Sequence, residues 1–347
     1  MNEPITPPVI PTSDDRPVWD VWLSSLWLPS LTATLELSIF EALAKTAATP
    51  EELATQLGLR PRRCEILLRM QVSLGFLILH MGRYQLTDAA RLYLLHASPF
   101  FWGHVWRDRH ENAMHTRLLE AVRNPAAQKS AAIGESASSQ AWESGQLTAE
   151  LAGSIARFMN SHSMAASVGL AVNVDFSGIT RILDVGGGSG CFSISLAQQW
   201  PNLRCTVMDL PAMCSQAQEY IAAAGVTRRV DTQSVDMFRE TWPRGYDALL
   251  FSNIFHDWSP ETCAELAAKA RGALPRGGRI CLHEMLLDDT GTGPRTAAAF
   301  SVLMLLATKG QQFTLAELST VLDGAGFIDV TVTPTYGYYS LVSARVP

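Results

Sequence analysis

The sequence has no disulfide or zinc framework. Its six cysteines, Cys64, Cys191, Cys205, Cys214, Cys263 and Cys281, form no CxxC pair, and several sit in apolar stretches, so they are expected to be reduced and buried. Charge is scarce and slightly negative: 27 Lys and Arg face 33 Asp and Glu, a net charge of -6. That balance excludes a chain built mainly to grip phosphate backbones and favours a small ligand. No long polar or repetitive tract is present, which excludes a disordered or fibrous protein. The opening "MNEPITPPVIPTSDDRP" lacks the basic-then-apolar order of a signal peptide, and residues 1–17 read as a flexible arm. The nearest approach to a membrane span, "VWDVWLSSLWLPSLTATLELSIFEAL", is interrupted by Asp20, Pro29 and Glu36. These features point to a cytoplasmic protein with no membrane partner.

What is present is enough apolar sequence for two domains: 347 residues, 47% of them hydrophobic. Residues 18–45 carry apolar side chains at three- and four-residue spacing but hold too much Trp and Leu for a helix with one solvated face. A homodimer interface explains that surplus. In "TPEELATQLGL", Thr49 can cap a helix, Glu51 and Glu52 suit its first turn, and Gly58 closes it. "RPRRCEILLRMQVSLGFL" predicts a second helix and "LILHMGRYQLT" a hairpin turning at Gly82. Residues 18–100 therefore read as a winged-helix-like dimerisation domain. Such domains also bind DNA, and Arg60, Arg62 and Arg63 stand near the start of the second helix. A winged-helix regulator is thus the rival of another class, although the acidic chain argues against a nucleic-acid partner.

Residues 101–171 predict a helical linker that contributes to a substrate pocket. From 172 to 347, β-rich runs at 180–185, 204–208, 246–251 and 279–283 alternate with helical segments, the pattern of an α/β parallel sheet with crossover helices. The terminal "FIDVTVTPTYGYYSLVSARV" reads as a hairpin that ends the sheet.

"LDVGGGSG" sets Asp184 two residues before the first of Gly186, Gly188 and Gly190, at the end of an apolar run where glycines allow a sharp turn and close ligand approach. A dinucleotide fingerprint would need glycine at position 191, which is Cys191 here. Asp209, at the end of the next strand in "MDLP", is placed to accept from a ribose diol. One strand later, in "SVDMF", Asp236 can accept from an exocyclic amine while Met237 and Phe238 cover an adenine face. "NIFHDW" follows the next run, with His256 at a strand's carboxyl end, where open α/β sheets bind ligands.

With these motifs in order, the chain resembles class I S-adenosylmethionine-dependent small-molecule O-methyltransferases, including plant caffeate-type and bacterial antibiotic-pathway enzymes. "FMNSHS", "LDVGGGSG", "MDLP", "VDMF", "NIFHDW", "ALPRGGRI" and "FTLAELSTVLDGAGF" carry the resemblance along nearly the whole chain. It implies an N-terminal dimerisation domain and a Rossmann-like seven-stranded domain whose sheet ends in an antiparallel hairpin. It implies S-adenosylmethionine as cofactor, with Asp184, Gly186, Gly188 and Gly190 on the methionine part, Asp209 and Leu210 at the ribose, and Asp236, Met237, Phe238 and Trp258 around the adenine. Ser252 and Asn253 would stand at the cofactor's edge, Ser252 where a lysine is common. His256 would be the general base toward the acceptor hydroxyl, oriented by Glu284. His283 should point to the opposite face of its strand. The family's second acid is replaced by Gln312.

The acceptor site is sketched by Trp102, His104, Phe158, Met159, Asn160, His162, Asp257, Phe300 and Met304, a largely apolar lining suited to an aromatic small molecule. No histidine follows His283, so the paired ligands of metal-dependent relatives are not evident and no metal is expected. C- or N-methylation, for example of a 2-oxo acid, and cofactor binding without turnover are the other readings of the same residues.

Overall fold

In the computed structural model, which describes residues 7–103, 105, 113–123 and 147–347, the chain divides into two units. The described parts of the helical unit are 17–103, 105, 113–123 and 287–314; those of the sheet unit are 7–16, 147–286 and 315–347. The first helices, α1 (Arg16–Ser24), α2 (Trp27–Glu36) and α3 (Ile39–Lys45), fill the apolar stretch that begins the chain's ordered text. α1 buries Trp19 and Leu23 while Val18 and Val21 stay exposed, so an apolar surface remains uncovered there. α4 (Pro50–Leu57) starts at a full capping box: Thr49 accepts from the Glu52 N–H at 3.3 Å and Glu52 accepts from the Thr49 N–H at 3.0 Å. Gly58, left-handed at φ 67°, closes it. α5 (Pro61–Ser73) leads to a hairpin, β1 (Leu77–His80) and β2 (Arg83–Leu86). Its two turn residues, Met81 and Gly82, both have positive φ, as a tight two-residue hairpin turn requires. α6 (Asp88–Tyr93) and α7 (Ala113–Arg123) follow.

Two of the three arginines that raised the DNA-binding reading are held within this unit. Arg62 donates to Gln311 at 3.0 Å, and Arg63 donates to the Ala121 carbonyl. Both therefore brace the unit's own segments.

The sheet unit opens with the long α8 (Ala149–Asn173), capped by Thr148. Then β3 (Arg181–Val185), α9 (Cys191–Gln199), β4 (Arg204–Asp209), α10 (Pro211–Ala223), β5 (Val230–Ser234), β6 (Ala248–Ser252), α11 (Pro260–Ala273) and β7 (Arg279–Met285) alternate. The chain next supplies α12 (Arg295–Ala307) to the helical unit and returns with α13 (Leu315–Gly324), β8 (Ile328–Tyr336) and β9 (Tyr339–Arg345). The seven strands lie in the order β5-β4-β3-β6-β7-β9-β8. The first five are parallel, and the β8–β9 hairpin is antiparallel at one edge. β3, β4 and β6 are buried almost throughout, because helices cover both faces of a parallel sheet.

The boundary expected at residue 172 falls inside α8, which belongs wholly to the sheet unit, whereas 287–314 belongs to the helical one. The reason is visible in α12: residues 296–307 are all buried, as in a helix that is apolar all round, and α5 and α7 pack against it. The described part of the expected arm is tied down as well. Ser13 accepts through its carbonyl from the Tyr336 hydroxyl at 2.8 Å, and Gly337 leaves room for Asp15, whose Oδ1 would lie 2.6 Å from any Cβ there.

All six cysteines are free and buried. Among the described residues no helix is long and apolar enough to cross a membrane. Thr49→Ala should lower stability by about 1 kcal/mol by orphaning the first-turn N–H groups of α4. Urea unfolding of the variant beside the parent measures the loss.

Candidate active site

The strand order reverses between β3 and β6, so the loops after these strands part and leave a crevice at the sheet's carboxyl edge. An open cleft of about 640 Å³, its solvent-filled mouth included, lies there. Its floor is the glycine loop. Gly186, Gly188 and Gly190 all take positive φ, and a Cβ on Gly186 would come within 2.5 Å of Ile254 Cδ1. Asp209 holds the loop from β4: its Oδ2 accepts from the Gly188 N–H at 2.9 Å and its Oδ1 from the Leu210 N–H at 2.7 Å. Burial pushes the Asp209 pKa up to about 6 despite those two bonds.

Beneath the loop, Asp184 is almost fully buried. Its Oδ2 accepts from Ser193 at 2.7 Å, while Oδ1 has no hydrogen-bond partner. Burial raises its pKa to about 7; the Ser193 bond opposes that rise and the charge of Asp209 adds to it. Such a carboxylate is poised to take a cationic partner.

The cleft wall continues through Val235, Asp236, Met237 and Phe238 to Trp258, whose ring meets Phe238 edge-on with centroids 4.7 Å apart. This gives an apolar, aromatic stretch of wall. Lys269 fixes it from behind, donating to the Met237 carbonyl at 2.6 Å and the Phe238 carbonyl at 3.3 Å. Asp236 is in the wall, but its carboxylate is largely engaged by its own turn. Oδ1 accepts from the Phe238 N–H at 2.9 Å, and Oδ2 pairs with Arg239 at 2.9 Å.

A turn of 3-10 helix, Phe255–Asp257, carries His256 past the end of β6. Glu284, near the end of β7, anchors that turn. Its Oε1 accepts from the Ile254 N–H at 3.1 Å and the Phe255 N–H at 2.9 Å, and its Oε2 lies 2.8 Å from His256 Nδ1. On the other side of the ring, Asp257 Oδ1 is 3.7 Å from Nε2. Burial by itself would lower the His256 pKa, but the charge and hydrogen bond of Glu284, with Asp257, outweigh it and raise the value. His162, on α8, is the neighbouring imidazole. Burial and the charge of His256 bring its pKa down to about 4.

His283 faces away. Its Nδ1 meets Ser252 Oγ at 3.0 Å, its Nε2 meets Thr335 Oγ1 at 2.8 Å, and its ring stacks on Tyr339. Burial drops its pKa to about 3, so it serves as a neutral core residue.

Of the residues singled out by sequence, Gly186, Gly188, Asp209, Leu210, Asp236, Met237, Phe238, Trp258, Asp257 and Met159 line the cleft. Asp184 and Gly190 lie under and beside the loop. Ser252 points its hydroxyl at His283, and Asn253 forms the left-handed corner after β6 at φ 55°. Asn160 reaches the glycine loop, its Oδ1 accepting from Ser189 at 3.3 Å, and Phe158 stands edge-on to His162. Trp102 is exposed against Tyr93; His104 lies outside the described residues. Phe300 and Met304 belong to the helical unit, where Phe300 packs with Trp19 and Trp22. Sequence reading missed Ile155, Met208, Met213, Val235 and Ile254 on the cleft wall. Ile155 could have been found as the residue one helical turn before Met159. Among the described residues no group of three or more His, Cys, Asp or Glu side chains could hold a metal ion.

Residues 115–328 match an O-methyltransferase domain and residues 19–96 an O-methyltransferase dimerisation domain. The chain belongs to the O-methyltransferase family. A 3-hydroxy-5-methyl-1-naphthoate 3-O-methyltransferase of Streptomyces sahachiroi is 39% identical, covering 88% of each chain. An L-tyrosine C(3)-methyltransferase of Streptomyces lavendulae is 31% identical, over 86% of this chain and 82% of its own. An O-methyltransferase family 2 protein of Planctomyces limnophilus, solved with apigenin, superposes with a TM-score of 0.87 at 26% identity, over 98% of both chains.

S-adenosylmethionine is the methyl donor of this family, and this O-methyltransferase fits it. The unpartnered oxygen of buried Asp184 suits an ammonium, the left-handed glycines admit a chain close to the backbone, and the apolar wall of Met237, Phe238 and Trp258 suits an adenine.

His256 should titrate above the ordinary ~6.5 of histidine. In Glu284→Gln the opposing burial is left to dominate, and the midpoint should fall by about 1–3 pH units. An NMR titration of the imidazole signals in both proteins reads the difference.

Proposed function

We propose that this O-methyltransferase methylates a hydroxyl of a small aromatic acceptor, with His256 as the general base. The observation that carries the reading is the His256–Glu284 pair at 2.8 Å, on a turn whose neighbours Ile254, Asp257 and Trp258 form part of the cleft wall. Asp184 and the glycine loop hold the methionine part of the donor, Asp209 and Leu210 its ribose, and the Asp236 to Phe238 segment with Trp258 its base. The bound donor supplies an electrophilic methyl on a cationic sulfur that leaves as a neutral thioether. The protein's own task is alignment and proton removal. Glu284 takes the Nδ1–H of His256, which directs the Nε2 lone pair toward the acceptor and stabilises the imidazolium once the proton has arrived. His162, held neutral by burial, and Phe158 supply a polar and an aromatic contact beside it.

An aromatic acceptor is supported by two relatives. One acts on a hydroxynaphthoate, and another was solved with a polyphenol. The tyrosine C(3)-methylating relative favours a second reading, because the same base could free a phenol whose ring carbon then attacks. The dimerisation domain match and the exposed Val18 and Val21 on α1 support a homodimer through the helical unit. Six buried thiols suit the reducing cytoplasm.

An acceptor screen with methyl-labelled donor tests the assignment: label on phenolic oxygen supports it, and label confined to carbon overturns it. On the acceptor so found, His256→Ala should lose about 10²–10⁴-fold in kcat with donor affinity little changed. Near-parental turnover would rule the base out.

Donor affinity itself should depend on pH. Asp184, with its pKa raised to about 7, is ionised above that pH and protonated below it, so an ammonium ligand is favoured at high pH. The donor Kd should rise about tenfold from pH 8 to pH 6. Asp184→Asn should bind weakly at both, with the Asp184 part of that slope gone; equilibrium dialysis of labelled donor gives both values.

A further inference from the structure

One carboxylate belongs at once to the cleft and to the base. Asp257 is part of the cleft wall, and its Oδ1 lies 3.7 Å from His256 Nε2, the nitrogen opposite the one held by Glu284. In the free protein the imidazole thus stands between two carboxylates, an arrangement that favours its charged form. A protonated His256 cannot accept the acceptor's proton. Productive binding therefore requires that the second carboxylate stop supporting the imidazolium before the acceptor reacts.

We propose that Asp257 is a positioning residue that couples occupancy of the cleft by the cationic donor to release of the His256 proton. The inference rests on the reading of the cleft as the donor site. A positive charge entering that cleft draws the Asp257 carboxylate toward itself and away from Nε2, and it also repels the imidazolium directly. The imidazolium loses its proton to solvent, leaving Nε2 with a lone pair directed by Glu284. After transfer the sulfur is neutral, Asp257 again supports the imidazolium, and the proton taken from the acceptor is retained until product leaves.

The groups that face His256 make the argument specific. Glu284 comes from β7 and is committed to the backbone N–H groups of Ile254 and Phe255, so it does not move with the ligand. Tyr339 on β9 stacks on His283, and burial together with the charge of Glu284 holds its phenol neutral by raising its pKa. His162 on α8 is already neutral near pH 7, since burial brings its pKa to about 4. Asp257 is therefore the carboxylate of this set that both ligand and base can address.

The test compares the donor with its demethylated product, S-adenosylhomocysteine, on the full-length protein. Both ligands carry the same ammonium, ribose and adenine, so protons released by Asp184 or Asp209 are common to the two, and only the sulfonium differs. Titration calorimetry in two buffers of different ionisation enthalpy, at the pH of the His256 midpoint found by NMR, counts protons released per site. A downward displacement of about one pH unit predicts roughly 0.4 proton more for the donor than for the product. In Asp257→Asn, measured at that variant's own His256 midpoint, the excess should shrink to the part set by direct repulsion, while both ligands still bind. Equal release by the two ligands in the parent overturns the coupling, and an undiminished excess in Asp257→Asn overturns the role of Asp257. Absence of binding by either ligand overturns the donor-site reading and the coupling with it.

Discussion

The cleft end of the sheet depends on one buried carboxylate. Glu284 accepts from two consecutive backbone N–H groups after β6 and pairs with the ring of His256 at 2.8 Å, so a single side chain on β7 fixes the path of the 254–257 turn and places a carboxylate beside its histidine. The three interactions are mutually dependent. Two backbone donors would otherwise be orphaned in the interior, at a cost of about 1–3 kcal/mol each. The carboxylate would be costlier still to bury without them. The turn in turn sets Ile254 against Gly186 and Trp258 against Phe238, so the placement of His256 and the shape of the cleft have the same origin.

The cleft joins opposite chemistries. Its wall is lined by thioethers and aromatic rings, whereas carboxylates that burial has made reluctant to ionise lie at its floor and beneath it: Asp209 near 6 and Asp184 near 7. A dianionic floor would be unfavourable when the cleft is empty, and partial protonation relieves it. A ligand with an ammonium and a diol supplies what each carboxylate lacks, so part of the selectivity of the site is stored in the free protein as a displaced protonation equilibrium.

Much of this was legible in the residue order. Each strand-end motif, "LDVGGGSG", "MDLP", "SVDMF" and "NIFHDW", ends a strand or follows one at the sheet's carboxyl edge, because apolar runs closed by glycine or aspartate are what a buried parallel strand and its turn require. The "HMGR" hairpin and the Thr49 cap are equally local and equally readable. Partnerships across long separations were less so. Ser252 looks like an edge residue of the cleft in one dimension, yet the register of β6 with β7 sets it opposite His283, which takes its hydroxyl. Asp236 reads as a base acceptor, but the turn it begins occupies its oxygens first. The membership of α12 in the helical unit has no local signature beyond apolar residues on every face.

That last feature constrains how the protein can be made. The helical unit is discontinuous: α5 and α7, synthesised early, pack against α12, which leaves the ribosome only after β7. Until residue 307 has emerged, the partners of α12 have an apolar face with nothing of their own unit to cover it. The nascent helical unit must therefore wait through the synthesis of five sheet strands before its core can close. The family's two modules are thus interleaved in time, and neither can be exchanged for another by cutting the chain at one point.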